Sequence, residues 1–276
     1  MMRRASFVVL AWGWQSLVAL LAAAVVASRV GADYGRNPAG DLPLWHEGSL
    51  ELLDLLAHGR CDVGALTTAL GVLVALGTLA AVVPYALLLH DTVAPASRRI
   101  LDVARASVRS LPTLLASRIF FLGAAVLLVV ATRYAFELGQ AVGASGGTAS
   151  DARIDLTGAA FAGIVLVAFI PLDLGIDACA AAVVTQPRPT LRLAFLGGFE
   201  LVRRDGRRLL LAWTGRTLGS LALVVVGALL ASRLGGRGGA CLAGLWTIHQ
   251  LITLSRTALR ASWLQYAVRR ASCVAG

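Results

Sequence analysis

Residues 154–184 read IDLTGAAFAGIVLVAFIPLDLGIDACAAAVV, a stretch whose only charged side chains are Asp155, Asp173 and Asp177. A run of about 20 apolar residues crosses roughly 30 Å of hydrocarbon, so this stretch is long enough for a membrane-spanning helix. Asp173 and Asp177 fall deep inside it. They are four residues apart and so share one helical face. An ionised side chain at mid-membrane costs about 3 kcal/mol or more unless it finds a partner.

Working outward, five further apolar runs occupy residues 7–30, 63–89, 111–131, 209–231 and 240–268. A soluble chain carries roughly a quarter charged residues; this one has 14% charged, 58% hydrophobic and a mean hydropathy of +0.77. The runs lack the alternation of barrel strands, and inside lipid each segment must satisfy its own backbone polar groups. The expected fold is therefore all-α: a polytopic bundle of six membrane spans with short amphipathic surface helices, forming one integral membrane domain over residues 1–276.

The net charge of +10 is carried entirely by arginine, without a single lysine. The arginines flank apolar spans and form no soluble basic face, which argues against a nucleic-acid partner. Arg3 and Arg4 precede the first span, and Arg98, Arg99, Arg105 and Arg109 follow the second. Arg188, Arg192, Arg203, Arg204, Arg207 and Arg208 follow the fourth, and Arg269 and Arg270 follow the sixth. Basic flanks mark the cytoplasmic side. Residues 31–62, on the opposite side, carry Asp33, Asp41, Glu47, Glu51, Asp54 and Asp62 against Arg36 and Arg60. The expectation is a bacterial-type inner-membrane protein with both termini cytoplasmic.

The start of the chain resembles a secretory signal, with Arg3 and Arg4, an apolar run and small residues at Gly31 and Ala32. The run exceeds the usual 7 to 15 residue core of such signals, so a retained helix is expected. Cys61, Cys179, Cys241 and Cys273 show no CxxC spacing. Cys61 and Cys241 fall near the outer ends of their helices, where an oxidising compartment permits a bridge; small apolar fillers are the alternative.

Between the first two spans, Ser49 reads as an N-cap ahead of Leu50, Leu53 and Ala57 on one face and Glu51, Asp54 and His58 on another, a short amphipathic helix. Trp45 suits the membrane interface. His46, Glu47, Asp54 and His58 follow no metal-ligand spacing and read as a solvated acidic face. Neither a metal nor a cofactor is expected. On the basic side, Ile100, Val103, Ala104, Ser107 and Leu111 recur at helical spacing among Arg98, Arg99, Asp102, Arg105 and Arg109. Such a helix lies on the bilayer with its arginines among anionic lipid headgroups. Residues 190–208 form a second basic segment of this kind, and membrane lipids are the expected partners, with a protein partner left open.

Arg109, Leu111, Arg118 and Val126 match Arg207, Leu209, Arg216 and Val224 at one constant offset. Two parallel repeat units over residues 63–131 and 154–231 would account for this, each with a proline-containing helix (Pro84 or Pro171), a basic segment and a returning helix. Chance matching in an alanine- and leucine-rich chain is the alternative.

The buried charges form the sharpest candidate site. At 1.5 Å per residue, Asp177 lies about 12 Å from the inner end of its span, Asp173 about 18 Å, and Arg118 and Arg216 about 10 Å from the same side. Arg256 and Arg260, also four residues apart, fall nearer the inner surface. A shared network of Asp173, Asp177, Arg118, Arg216, Arg256 and Arg260 is expected, acting as a static clamp on helix packing or as a proton or substrate path. His249 and Gln250, with Thr247 and Thr253, form a polar stripe that lines a small cavity or makes interhelical hydrogen bonds. Gly215 and Gly219 form a GxxxG step for close helix approach.

No catalytic residue is assigned from these patterns, and no P-loop or dinucleotide turn is present. The segment Gly143-Ala144-Ser145-Gly146 resembles the GxSG nucleophile motif of rhomboid intramembrane proteases. That resemblance implies a six-helix protease with Ser145 as nucleophile and His249 as its base. It covers four residues and a helix count. Here Asp151, Arg153 and Asp155 separate the serine from the apolar run, and residues 143–147 also read as a plain glycine-rich loop. The composition and the buried charges together point to a transport or membrane-assembly component.

Overall fold

The computed structural model describes residues 2–34, 63–94, 99–144, 151–234 and 239–275. Every element among them is a helix: α1 (Met2–Tyr34), α2 (Val63–Ala80), α3 (Val82–Val93), α4 (Ile100–Ala144), α5 (Asp151–Leu166), α6 (Phe169–Thr185), α7 (Leu191–Leu234) and α8 (Gly239–Ala275). The chain is an all-α membrane protein. Among the described residues five stretches are long and apolar enough to cross a bilayer: Ala5–Val26, Thr68–Val93, Ile100–Ala144, Arg153–Thr185 and Leu191–Arg233. The sixth expected span forms its helix, α8, but stands outside that set. Its His249, Gln250, Arg256 and Arg260 dilute the apolar character of the segment.

Proline divides two of the expected spans into helix pairs. Pro84 has no N–H for the carbonyl of Ala80 and its ring crowds that carbonyl; α2 accordingly gives way to α3 at Ala81, with helical bonding resuming from Tyr85 N to Ala81 O at 3.2 Å. Pro171 acts on Val167 in the same way. There the turn tightens to three-residue bonds, Ala168 N to Val165 O at 3.0 Å and Ile170 N to Val167 O at 3.1 Å.

The two basic segments are not separate surface helices. Each is the first part of a long helix, α4 or α7, that continues into the following span. At 45 residues, α4 is about 68 Å long, more than twice the hydrocarbon thickness. One continuous face explains why it does not break: Val103, Ser107, Ser110, Leu114, Ser117 and Phe121 are all buried along it. Ile100 and Leu101, by contrast, are exposed. The amphipathic segment expected around Ser49, with Trp45, His46, Glu47, Asp54, His58 and Cys61, lies outside the described residues, as does Ser145.

The contacts divide the chain into two compact units, residues Met1–Tyr85 with Thr217–Ala261, and residues Ala86–Arg216 with Ser262–Gly276. In the first, Trp14 Nε1 donates to the carbonyl of Gly77 at 3.1 Å and joins α1 to α2. A polar seam joins α1 to α8: Ser16 Oγ donates to Gln250 Oε1 at 3.1 Å, and Thr257 Oγ1 to Gln15 Oε1 at 2.8 Å. Gln15 Nε2 in turn donates to Tyr85 Oη at 2.6 Å.

The second unit is organised around the C-terminal half of α6. There Asp177, Ala178, Cys179, Ala180, Ala181, Ala182, Val183 and Val184 are all buried. Small side chains let neighbouring backbones approach closely. Gly198 of α7 is the tightest such contact, since a Cβ there would stand 2.7 Å from Cys179 Sγ and 2.9 Å from Cys179 N. Phe121 of α4 and Phe195 of α7 meet with ring centroids 5.7 Å apart.

Candidate functional site

Asp177 occupies the centre of that second unit. It is 0% exposed, and its Oδ2 accepts a hydrogen bond from Trp263 Nε1 of α8 at 2.6 Å. Its Oδ1 lies 3.9 Å from Arg118 Nη2 of α4. Three helices thus converge on one carboxylate, from α6, α8 and α4. A buried carboxylate needs such donors, because leaving a charged acceptor unsatisfied costs more than the ordinary 1 to 3 kcal/mol for a buried polar group, at roughly double the value for neutral bonds. The Trp263 ring is itself buried and stacks on Tyr266 at a centroid distance of 6.3 Å.

One turn earlier on α6, Asp173 uses a second indole. Trp213 Nε1 of α7 donates to Asp173 Oδ2 at 2.8 Å. Asp173 is half-buried, so its carboxylate is less dependent on the protein for solvation. Each aspartate of the i, i+4 pair therefore takes a tryptophan from a different helix.

The remaining members of the expected network are distributed differently. Arg216 donates from Nε to Ser262 Oγ at 2.9 Å and from Nη1 to the carbonyl of Ala212 at 2.9 Å, and its guanidinium lies 5.6 Å from the Tyr266 ring centroid. Arg216 does not share the aspartates of α6. Arg256 is exposed and donates from Nε to Ser220 Oγ at 2.8 Å. Arg260 is half-buried on α8. His249 is exposed, and Gln250 is engaged by Ser16 in the α1–α8 seam. Cys179, Cys241 and Cys273 are free thiols. Among the described residues no three histidine, cysteine or acidic side chains gather in a way that would hold a metal ion.

Several residues at or near the site escape a reading of the sequence. Trp213 and Trp263 sit close to helix segments rich in arginine, where an indole reads as an interfacial anchor, yet both turn inward as donors to carboxylates. Asp91 is 1% exposed, although its place beside the basic segment suggests a solvated flank. Its neighbour His90 shares a hydrogen bond through Nε2 with Ser110 Oγ at 2.8 Å. An acidic residue at the end of an apolar helix is the signal that marks this position.

The fold and the buried carboxylates define an integral membrane helix bundle. No protein-family model, no curated protein and no solved structure matches the chain.

Proposed function

We infer that the protein is a component of the transport or membrane-assembly type, crossing a bacterial-type inner membrane six times with both termini cytoplasmic. In this reading its Asp177 centre is a fixed clamp that locks α4, α6 and α8 together. One observation carries it. Asp177 is fully buried and accepts from the Trp263 indole at 2.6 Å, whereas a proton or substrate path needs water at the titrating group. The arginines that flank the spans contact anionic lipid headgroups: Arg105 and Arg109 are exposed on α4 beside the exposed apolar side chains Leu101 and Val108, the mixed character an interfacial helix face requires.

The test is Asp177→Asn in the full chain, purified in detergent. A clamp predicts a lower thermal midpoint and a lower yield of monodisperse protein. Normal yield and a wild-type midpoint would overturn it.

A further inference from the structure

The cluster around Tyr266 on α7 and α8 carries more positive charge than its partners balance. Arg216 lies 5.6 Å and Arg270 5.3 Å from the Tyr266 ring centroid, so two guanidiniums share one aromatic ring. Asp205 Oδ2 lies 3.7 Å from Arg270 Nη1, and Asp205 Oδ1 lies 3.8 Å from Arg208 Nη1. Among the described residues, these three guanidiniums have the Asp205 carboxylate among them. Among the same residues Arg216 meets the Ser262 hydroxyl, the Ala212 carbonyl and the aromatic face, all of them uncharged.

That arrangement has a direction as well as a charge. Arg216 lies about 10 Å inside the span that begins at Leu209, where a bare cation is costly. Its bond to the carbonyl four residues earlier draws the guanidinium back toward the basic end of α7, the course a snorkelling side chain takes toward the headgroup layer. Leu210 and Leu211, on the adjoining turn, are exposed and offer apolar surface to an acyl chain. Guanidinium groups present planar forks that match phosphate oxygens.

We propose that Arg216 and Arg270, both beside the Tyr266 ring, form a binding site for a phosphate oxyanion, supplied by an anionic phospholipid headgroup or by free phosphate. The site rests on the membrane placement given above, and it adjoins the Asp177 centre, because Tyr266 also stacks on Trp263. Asp205 and the two ring contacts hold the arginines in place, and the bound oxyanion completes the charge balance.

The experiment is a thermal-unfolding titration of the full chain in a neutral detergent at constant ionic strength. The additives are dioctanoyl phosphatidylglycerol, dioctanoyl phosphatidylcholine and inorganic phosphate. Phosphatidylglycerol is expected to raise the midpoint saturably while phosphatidylcholine does not, and Arg216→Gln and Arg270→Gln each weaken the apparent affinity by about tenfold, the scale of one hydrogen bond to a charged group. Inorganic phosphate matching phosphatidylglycerol would assign the site to the free ion; phosphate without effect would assign it to the lipid. Arg270 is 32% exposed in its side chain, so Arg270→Gln decides the matter even if Arg216→Gln fails to fold. Equal responses to the two lipids with none to phosphate, or a wild-type response in Arg270→Gln, would overturn the site. The two readings are scored separately: the starting midpoint of Asp177→Asn reports on the clamp, and the phosphatidylglycerol dependence of Arg270→Gln reports on this site.

Discussion

Trp263 Nε1 stands 2.6 Å from Asp177 Oδ2, and both residues are buried. The indole holds the carboxylate more closely than Arg118 does, whose Nη2 lies 3.9 Å away from the other oxygen. Trp263→Phe keeps a large ring in place but removes the donor. It is predicted to destabilise the folded state by about 1 to 3 kcal/mol, read from detergent-solubilised unfolding curves. A change below a few tenths would mean that the bond contributes nothing.

Asp177 and Arg118 are coupled by proximity in a place with little solvent. Removing one partner strands a charge, whereas removing both leaves an apolar contact. Asp177→Leu and Arg118→Met are therefore each predicted to be more destabilising alone than the double variant. A double-mutant cycle measures this, and additive losses would contradict it.

Asp173 differs from Asp177 in being only half-buried, and its indole partner stands at 2.8 Å against 2.6 Å. Water or headgroups replace a lost donor more readily there. Trp213→Phe is predicted to cost less than Trp263→Phe, about 1 kcal/mol or below. The reverse order in the same unfolding assay would show that exposure does not set the value of these bonds.

Gly198 leaves no room for a side chain. A Cβ would meet Cys179 Sγ at 2.7 Å and Cys179 N at 2.9 Å, so Gly198→Ala is predicted to destabilise by about 1 to 3 kcal/mol through overpacking. Adding Cys179→Ala relieves the sulfur contact but not the backbone one, so rescue is expected to be partial. Full rescue in the thermal midpoint would place the strain wholly on the sulfur.

Helix α8 depends on its neighbours for its polar side chains. Gln250 and Thr257 bond to Ser16 and Gln15, and Arg256 bonds to Ser220, while its sequence does not reach the apolar level of the five spans. On the six-span reading proposed above, Gln15→Leu and Ser16→Ala combined are predicted to cost α8 its stable transmembrane position. Cys241 and Cys273 lie near its two ends, and an impermeant maleimide applied from each side of the membrane reports on them in single-cysteine versions of the chain. Labelling from opposite sides in both parent and variant would refute the dependence.

The apolar length of the runs made the helical membrane class legible. Asp177 and Arg118 fall at similar depths along their helices, and their charged groups lie 3.9 Å apart. Asp173 and Asp177, four residues apart, each accept from an indole that the sequence did not single out. Arg216 shows where such reasoning stops. Its depth matched that of Arg118, but depth says nothing of rotation about the helix axis, and the helix turns it toward Ser262 and Tyr266 instead. The inward turn of Trp213 and Trp263 is hidden for a related reason, since an indole suits both an interface and a buried acceptor. Breaks at Pro84 and Pro171 follow from the missing N–H, whereas α4 runs on through Pro112.

The seam between α1 and α8 also sets a timetable. Ser16 and its acceptor Gln250 are separated by 234 positions, and at synthesis rates of about 5 to 20 residues per second roughly 12 to 47 seconds pass between the two leaving the ribosome. Throughout that interval the first helix is complete while half of its hydrogen-bonding surface is not. The nascent chain must therefore be held at an insertion site, or shielded by its earlier helices, until α8 emerges.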